Sequence, residues 1–223
     1  MHSSAFLSEL KISADPWSPS NDSVATLYTL LELKAPESIL CLGASNASII
    51  AAMYSYCNNS SLHIVEEHEA LLEHIKKKGA SYMEEATSEI VKTIEEKIEL
   101  PQKFRQPFQP DLDIAEEYRN KHDMLIGQEW RGERVTSRFE KIKGSYDFII
   151  VDGPRKSGIG RALPLLDGIM QEECIILWMN GKHDLVVDAI KYFDTQYYDR
   201  SLTSFHTDER DGIAITKLGE ELI

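Results

Sequence analysis

Four places in this chain carry residue types at spacings suited to chemistry. The first is SILCLGASNASIIAA, residues 38–52, where apolar Ile39, Leu40, Cys41 and Leu42 stop at Gly43. Small or polar Ala44, Ser45, Asn46 and Ala47 follow before Ile49 and Ile50 resume. This is the pattern of a buried strand turning tightly into a helix. Side chains this small admit a ligand to the backbone, and a helix N-terminus there is expected to present unpaired N–H groups and a positive dipole end. A nucleotide-like ligand suits it, though a tight turn without a ligand has the same spacing. The second place is Glu66, with Glu67 beside it, ending a short apolar run. The third is Asp152, which closes YDFIIV and precedes Gly153-Pro154. A carboxylate there can orient an acceptor hydroxyl or take its proton, and an Asp-Gly-Pro turn former is the plainer reading. The fourth is the basic loop Arg155, Lys156 and Arg161, which suits an anionic acceptor such as a carboxylate or phosphate, or simply a solvated loop. Asn180 ends one further apolar run, and His183 close by has the type of a general base.

The elements that must hold these residues alternate between strand and helix. After an irregular lead-in over 1–20, the spacing of Val24, Leu27, Leu30 and Leu31 predicts a helix behind Asn21-Asp22-Ser23, ended by Ala35-Pro36. The strand and glycine turn come next, then a helix to about Tyr56. A short strand covers Leu62 to Val65, and a helix covers Glu69 to Lys78 with Gly79 as its C-cap. Ala86, Ile90, Ile94 and Ile98 recur every four residues and predict an amphipathic helix from about Met83 to Glu99. With the proline-rich PQKFRQPFQPDLD and a short helix near Ile114–Asn120, the region of about 80–121 reads as an insertion or lid. A third strand is expected at Asp123–Gly127. Tyr146–Val151 and Cys174–Met179 read as buried strands, with helices after each. Leu202–His206 and Gly212–Lys217 read as an antiparallel closing pair.

The expected fold is therefore α/β: a single Rossmann-like domain over 1–223 with a doubly wound, mostly parallel sheet, an antiparallel C-terminal strand and a helical insertion. In such a sheet the carboxyl ends of the strands form the ligand rim. At 223 residues and 42% hydrophobic, the chain can bury a substantial core. A net charge of −13 argues against nucleic acid and against an anionic membrane surface. No apolar run approaches the roughly 18 residues of a membrane span. The three cysteines form no CxxC pair or metal spacing, and without a signal-peptide pattern a reducing cytoplasm is the expected location.

The order of glycine turn, acid after the second strand, acid after a later strand and terminal hairpin resembles the class I S-adenosylmethionine-dependent methyltransferases. YDFIIVDGPRKSGIGR also resembles a stretch in small methyltransferases of this fold, including some that act on sugar polymers. The resemblance covers about Ser38 to Leu218. It implies S-adenosylmethionine as cofactor, held by Gly43, Ala44, Ser45 and Asn46, with Glu66 on the ribose, Gln128 at the adenine amino group and Trp130 stacked on the ring. It implies that Asp152 faces both cofactor and acceptor as the catalytic residue, with Arg155, Arg161 and Asn180 toward the acceptor. Cys41 stands where the family has an acid, and Ser45 and Ala47 replace two glycines. Metal-dependent relatives carry an Asp-Asn pair where Met179-Asn180 stands here, so no metal is expected. The implied activity is O-methylation of a small-molecule or carbohydrate-like acceptor by a soluble protein, with homo-oligomers compatible. Two rivals stand beside it: a binding or assembly module that kept the fold without catalysis, and a dinucleotide-dependent oxidoreductase, which the missing GxGxxG disfavours.

Overall fold

The computed structural model describes residues 21–99, 133–152, 168–181, 190, 201–206 and 212–219. The elements run α1 (Asn21–Lys34), β1 (Ser38–Leu42), α2 (Asn46–Asn58), β2 (Ser61–Glu66), α3 (Glu69–Gly79), a 3-10 turn (Ala80–Met83), β3 (Thr87–Ile90), β4 (Thr93–Glu99), β5 (Glu133–Phe139), β6 (Tyr146–Val151), β7 (Met170–Met179), β8 (Ser201–His206) and β9 (Ile213–Leu218).

The main sheet has seven strands in the order β3-β2-β1-β6-β7-β9-β8. From β3 to β7 the neighbours are parallel, and β9 is antiparallel to both β7 and β8. Strand order reverses between β1 and β6, which puts the ligand crevice of a doubly wound sheet at their carboxyl ends.

Strand alternation sorts the core into two layers. Ile39, Cys41, Ile64, Phe148, Ile150 and Leu177 pack with α1, α2 and α3 on one face. Leu40, Leu42, Val65, Ile149, Val151, Ile176 and Trp178 pack on the other with Phe139, Ile142 and Ile190. Because both faces are covered, Ile39–Leu42 of β1 and Phe148–Val151 of β6 are continuously apolar rather than alternating. Fully buried Phe148, Trp178 and Leu40 each contribute on the order of 1.5–3 kcal/mol of apolar burial.

Both ends of β1 are held by a carboxylate. At its start, Asp147 accepts hydrogen bonds from Glu37 N (2.8 Å), Ser38 N (2.9 Å) and Ser38 Oγ (3.1 Å). At its end Glu66 does the same work, as described below.

Two expectations are corrected. Met83–Glu99 is not a helix: Thr87–Ile90 is the edge strand of the main sheet, and Thr93–Glu99 pairs antiparallel with Glu133–Phe139 in a separate two-stranded sheet. A repeat of four fits a strand as well as a helix, since it is a multiple of the strand period of two, and the β-branched Thr87, Ile90, Val91, Thr93 and Ile94 favour the strand. Gly79 is not a left-handed cap, since its φ is −79° and the positive angle falls on Ala80 at 42°. Gly79 is small for packing: a Cβ there would lie 2.4 Å from Met83 Cγ. The expectations for 1–20, Asp123–Gly127, the Lys156–Gly160 loop and the helix after it lie outside the described residues. So does the helix from Asp184, except Ile190, which is helical and buried.

Candidate functional site

The rim at the switch point is assembled from the ends of β1, β2 and β6. Gly43 leaves β1 with φ 93°, a left-handed angle that glycine takes without steric cost. Asp152 leaves β6 directly beside it, its N–H donating to Leu42 O at 2.8 Å. By strand alternation Cys41, Glu66 and Asp152 all lie toward the face where α2 begins, and all are buried.

The turn from β1 into α2 is closed by its own hydrogen bonds. Gly43 N donates to Val65 O (2.8 Å), Ala44 N to Glu66 Oε2 (2.8 Å) and Ser45 N to Ser48 Oγ (3.2 Å). Ser48 Oγ donates in turn to Gly43 O at 3.1 Å. Ser45 caps the helix, accepting from Ala47 N through its side chain (3.1 Å) and from Ser48 N through its carbonyl (3.1 Å). The N–H groups of Gly43, Ala44, Ser45, Ala47 and Ser48 are thus engaged, so these five donors, expected to be unpaired, are spent within the turn.

Glu66, only 4% exposed, is the strut between the turn and β2. Its Oε2 accepts from Ala44 N, and its Oε1 accepts from Glu67 N (2.8 Å) and His68 N (3.0 Å). A carboxylate offers about four acceptor positions, so three are filled and one remains at Oε2. The carboxylate can take one further hydroxyl, not both hydroxyls of a vicinal pair. Glu67 beside it also has a buried side chain, with Oε1 3.3 Å from His68 Nε2, whereas Glu66 is the acid that bonds the turn.

Cys41 is neutral at physiological pH: burial pushes its thiol up to about 12, a hydrogen bond with Ser48 opposes this, and the charge of Asp152 adds to it. Where the family carries a charge, this chain carries an uncharged sulfur beside a carboxylate. Asn180 ends β7 at φ 59°, an angle asparagine tolerates, and is partly exposed. The next residue, Gly181, packs where a Cβ would meet Ala214 N and Ile213 C at 2.5 Å. Gln128, Trp130, Arg155, Lys156, Arg161 and His183 lie outside the described residues. Among the described residues the strand beside β2 is Thr87–Ile90.

Two residues of the rim escaped the sequence reading. Ser48 had a signal, since Ser45-x-x-Ser48 has the spacing of a capping box. Lys78 had none: it reaches from the end of α3 to donate from Nζ to Asn46 Oδ1 at 2.8 Å, across 32 positions of sequence.

A cleft of about 560 Å³ lies at the opposite end of the sheet, lined by Ala35, Pro36, Glu37, Tyr54 and Asn58–Ser61. Several of its polar side chains close the loops that form it: Ser60 Oγ donates to Pro36 O (2.7 Å), Ser61 Oγ to Glu37 O (3.1 Å) and Asn58 Nδ2 to Tyr54 O (3.0 Å).

Solved structures share this fold across nearly the whole chain. A methyltransferase from Podospora anserina bound to S-adenosylhomocysteine superposes with a TM-score of 0.56 at 12% identity, over 96% of this chain and 88% of that one. The fold is that of the class I methyltransferases. An O-methyltransferase from Bacillus cereus in complex with S-adenosylhomocysteine gives 0.53 at 12% identity, over 96% and 90% of the two chains. The O-methyltransferase TomG from Streptomyces achromogenes, in complex with S-adenosylmethionine, gives 0.53 at 12% identity, over 92% and 83%. By sequence, no protein-family model and no curated protein matches the chain. The likeness therefore rests on the fold.

Proposed function

We propose that this chain is an S-adenosylmethionine-dependent methyltransferase acting at oxygen on a small-molecule or carbohydrate-like acceptor. The observation that carries the reading is the juxtaposition at the switch point. Gly43 with its left-handed turn, the Glu66 carboxylate and the Asp152 carboxylate meet where strand order reverses, in a fold whose solved neighbours hold this cofactor or its product. The donor set fits such a ligand. The open acceptor position of Glu66 Oε2 suits one ribose hydroxyl, and two buried carboxylates favour a cationic sulfonium nearby. Bound S-adenosylmethionine supplies a methyl group on a good leaving group.

The chain's own work is positioning and proton handling. Asp152, held by its backbone bond to Leu42, orients the acceptor hydroxyl and receives its proton as the oxygen becomes nucleophilic. Asn180 stands on the acceptor side, and we place Arg155 and Arg161 there with it. Among the described residues no helix is long and apolar enough to cross a membrane, and with a charge of −13 we read the protein as cytoplasmic and without nucleic-acid or membrane partners.

A second reading has one observation in its favour. The glycine turn satisfies five of its own N–H groups and carries Cys41 where the family has an acid, as would suit a domain that kept the fold as a binding or assembly module. Titration calorimetry with S-adenosylmethionine, S-adenosylhomocysteine and NAD(P) separates the readings. Micromolar binding of the first two alone supports a methyltransferase. Absence of binding leaves the module, and binding of NAD(P) would overturn both.

A further inference from the structure

We propose that His63 and Glu89 form a binding site for a divalent transition metal, zinc in the first place, apart from the rim. His63 lies three residues before Glu66 on β2, so strand alternation puts the two on opposite faces of the sheet. Glu89 shares the face of His63: it stands on β3 two residues beyond Thr87, the register partner of His63. The hydrogen bonds around the ring fix its tautomer. Tyr146 OH donates its one proton to Lys143 O at 2.7 Å. It therefore accepts from His63 Nδ1 at 2.6 Å, and Nδ1 carries the ring proton. Nε2 is left with its lone pair, buried and without a hydrogen-bond partner. What faces it, at 3.5 Å, is Oε2 of Glu89. Burial holds the proton affinity of the ring below its ordinary value, so at neutral pH no second proton fills the gap.

Two electron-pair donors that face each other repel, and a cation bonded to both reverses the sign. Zinc lies about 2.0–2.1 Å from an imidazole nitrogen and about 2.0–2.2 Å from a carboxylate oxygen. At a tetrahedral angle those lengths set the two ligand atoms about 3.4 Å apart, close to the spacing of Nε2 and Oε2. Imidazole as a ligand suits zinc, copper or nickel better than magnesium or calcium. A metal-binding histidine almost always donates its other N–H to an oxygen that orients the ring. Here the Tyr146 hydroxyl, itself anchored on Lys143 O, is that oxygen. The Glu89 side chain is 54% exposed, which opens the remaining coordination positions to water. Bound there, the metal ties edge strand β3 to β2 through side chains as well as through the backbone ladder.

The test is a titration of zinc chloride into chelator-stripped protein near neutral pH, by calorimetry, on wild type, Glu89→Gln and Tyr146→Phe. The histidine ring nitrogens are followed by NMR alongside. Wild type is expected to bind saturably, with the Nε2 resonance of His63 shifting and the thermal midpoint rising. Glu89→Gln should weaken binding by at least about tenfold through loss of a charged ligand, and Tyr146→Phe by about tenfold or more through release of the ring. A glutamine amide can donate to Nε2, so Glu89→Gln should also raise the midpoint of the metal-free protein. An Nε2 resonance unmoved by zinc in wild type, or zinc affinity unchanged in Glu89→Gln, would overturn the inference. If Tyr146→Phe fails to fold, the exposed Glu89 variant decides alone.

Discussion

Glu66 has two duties that the side chain cannot separate. It accepts three backbone N–H groups, tying Ala44 of the turn to Glu67 and His68 after β2, and one acceptor position remains. In Glu66→Gln one of those positions becomes an N–H₂ facing an N–H. The best compromise keeps the carbonyl on Glu67 N and His68 N and abandons Ala44 N. We expect this to cost about 1–3 kcal/mol, read as a lower urea midpoint with an unchanged m-value. An unchanged midpoint would show that the strut carries no load. Loss of ligand in a Glu66 variant speaks for a ribose contact only when the midpoint is measured beside it. The cysteines give a second expectation. Cys41 and Cys174 are buried with thiols pushed up to about 12 chiefly by burial, whereas Cys57 is exposed. Native protein should therefore react with a thiol reagent at one site and unfolded protein at three, and rapid native labelling of Cys41 would contradict the closed turn.

Between β2, β3 and β6 a partly buried cluster makes the edge of the sheet sensitive to acid. Tyr146 OH donates to Lys143 O (2.7 Å) and accepts from His63 Nδ1 (2.6 Å), which leaves Nε2 toward Glu89 at 3.5 Å. Burial lowers the affinity of His63 for a proton below the ordinary value of 6.5, with the charge of Glu89 opposing. The unfolded ring then binds a proton that the folded ring resists, so stability is complete above about pH 6.5 and falls as pH drops toward the folded value. Compared with wild type, His63→Gln should lose less stability between about pH 7 and about pH 5, measured by thermal midpoint. A steeper acid loss in the variant would reverse the sign. These same elements show what was legible beforehand. Strands β1, β2 and β6 could be read because their buried stretches, Ile39–Leu42, Ile64–Val65 and Phe148–Val151, are apolar on both faces and bounded by turn residues. Thr87–Glu99 could not, because a repeat of four satisfies helix and strand alike, and only pairing with β2 and β5 decides between them. Ser48 was legible as a cap, but the contact of Lys78 with Asn46 depends on how α3 lies against α2, a tertiary fact with no local signature.

Over the whole molecule, seven strands and two core layers bring residues from distant parts of the chain to one edge. Glu66 and Asp152 meet Gly43 because β2 and β6 flank β1, not because of any spacing between them. On the proposed reading this edge, and not the cleft at the other end of the sheet, takes the nucleoside ligand. The measurement that tests it most directly is a titration of ¹⁵N-labelled protein with S-adenosylhomocysteine, followed by the backbone amide resonances. Saturable shifts are expected at Gly43–Asn46, Glu66–His68 and Asp152, with Glu37 and Asn58–Ser61 unmoved. Shifts confined to those latter residues, or no shifts at all, would contradict it.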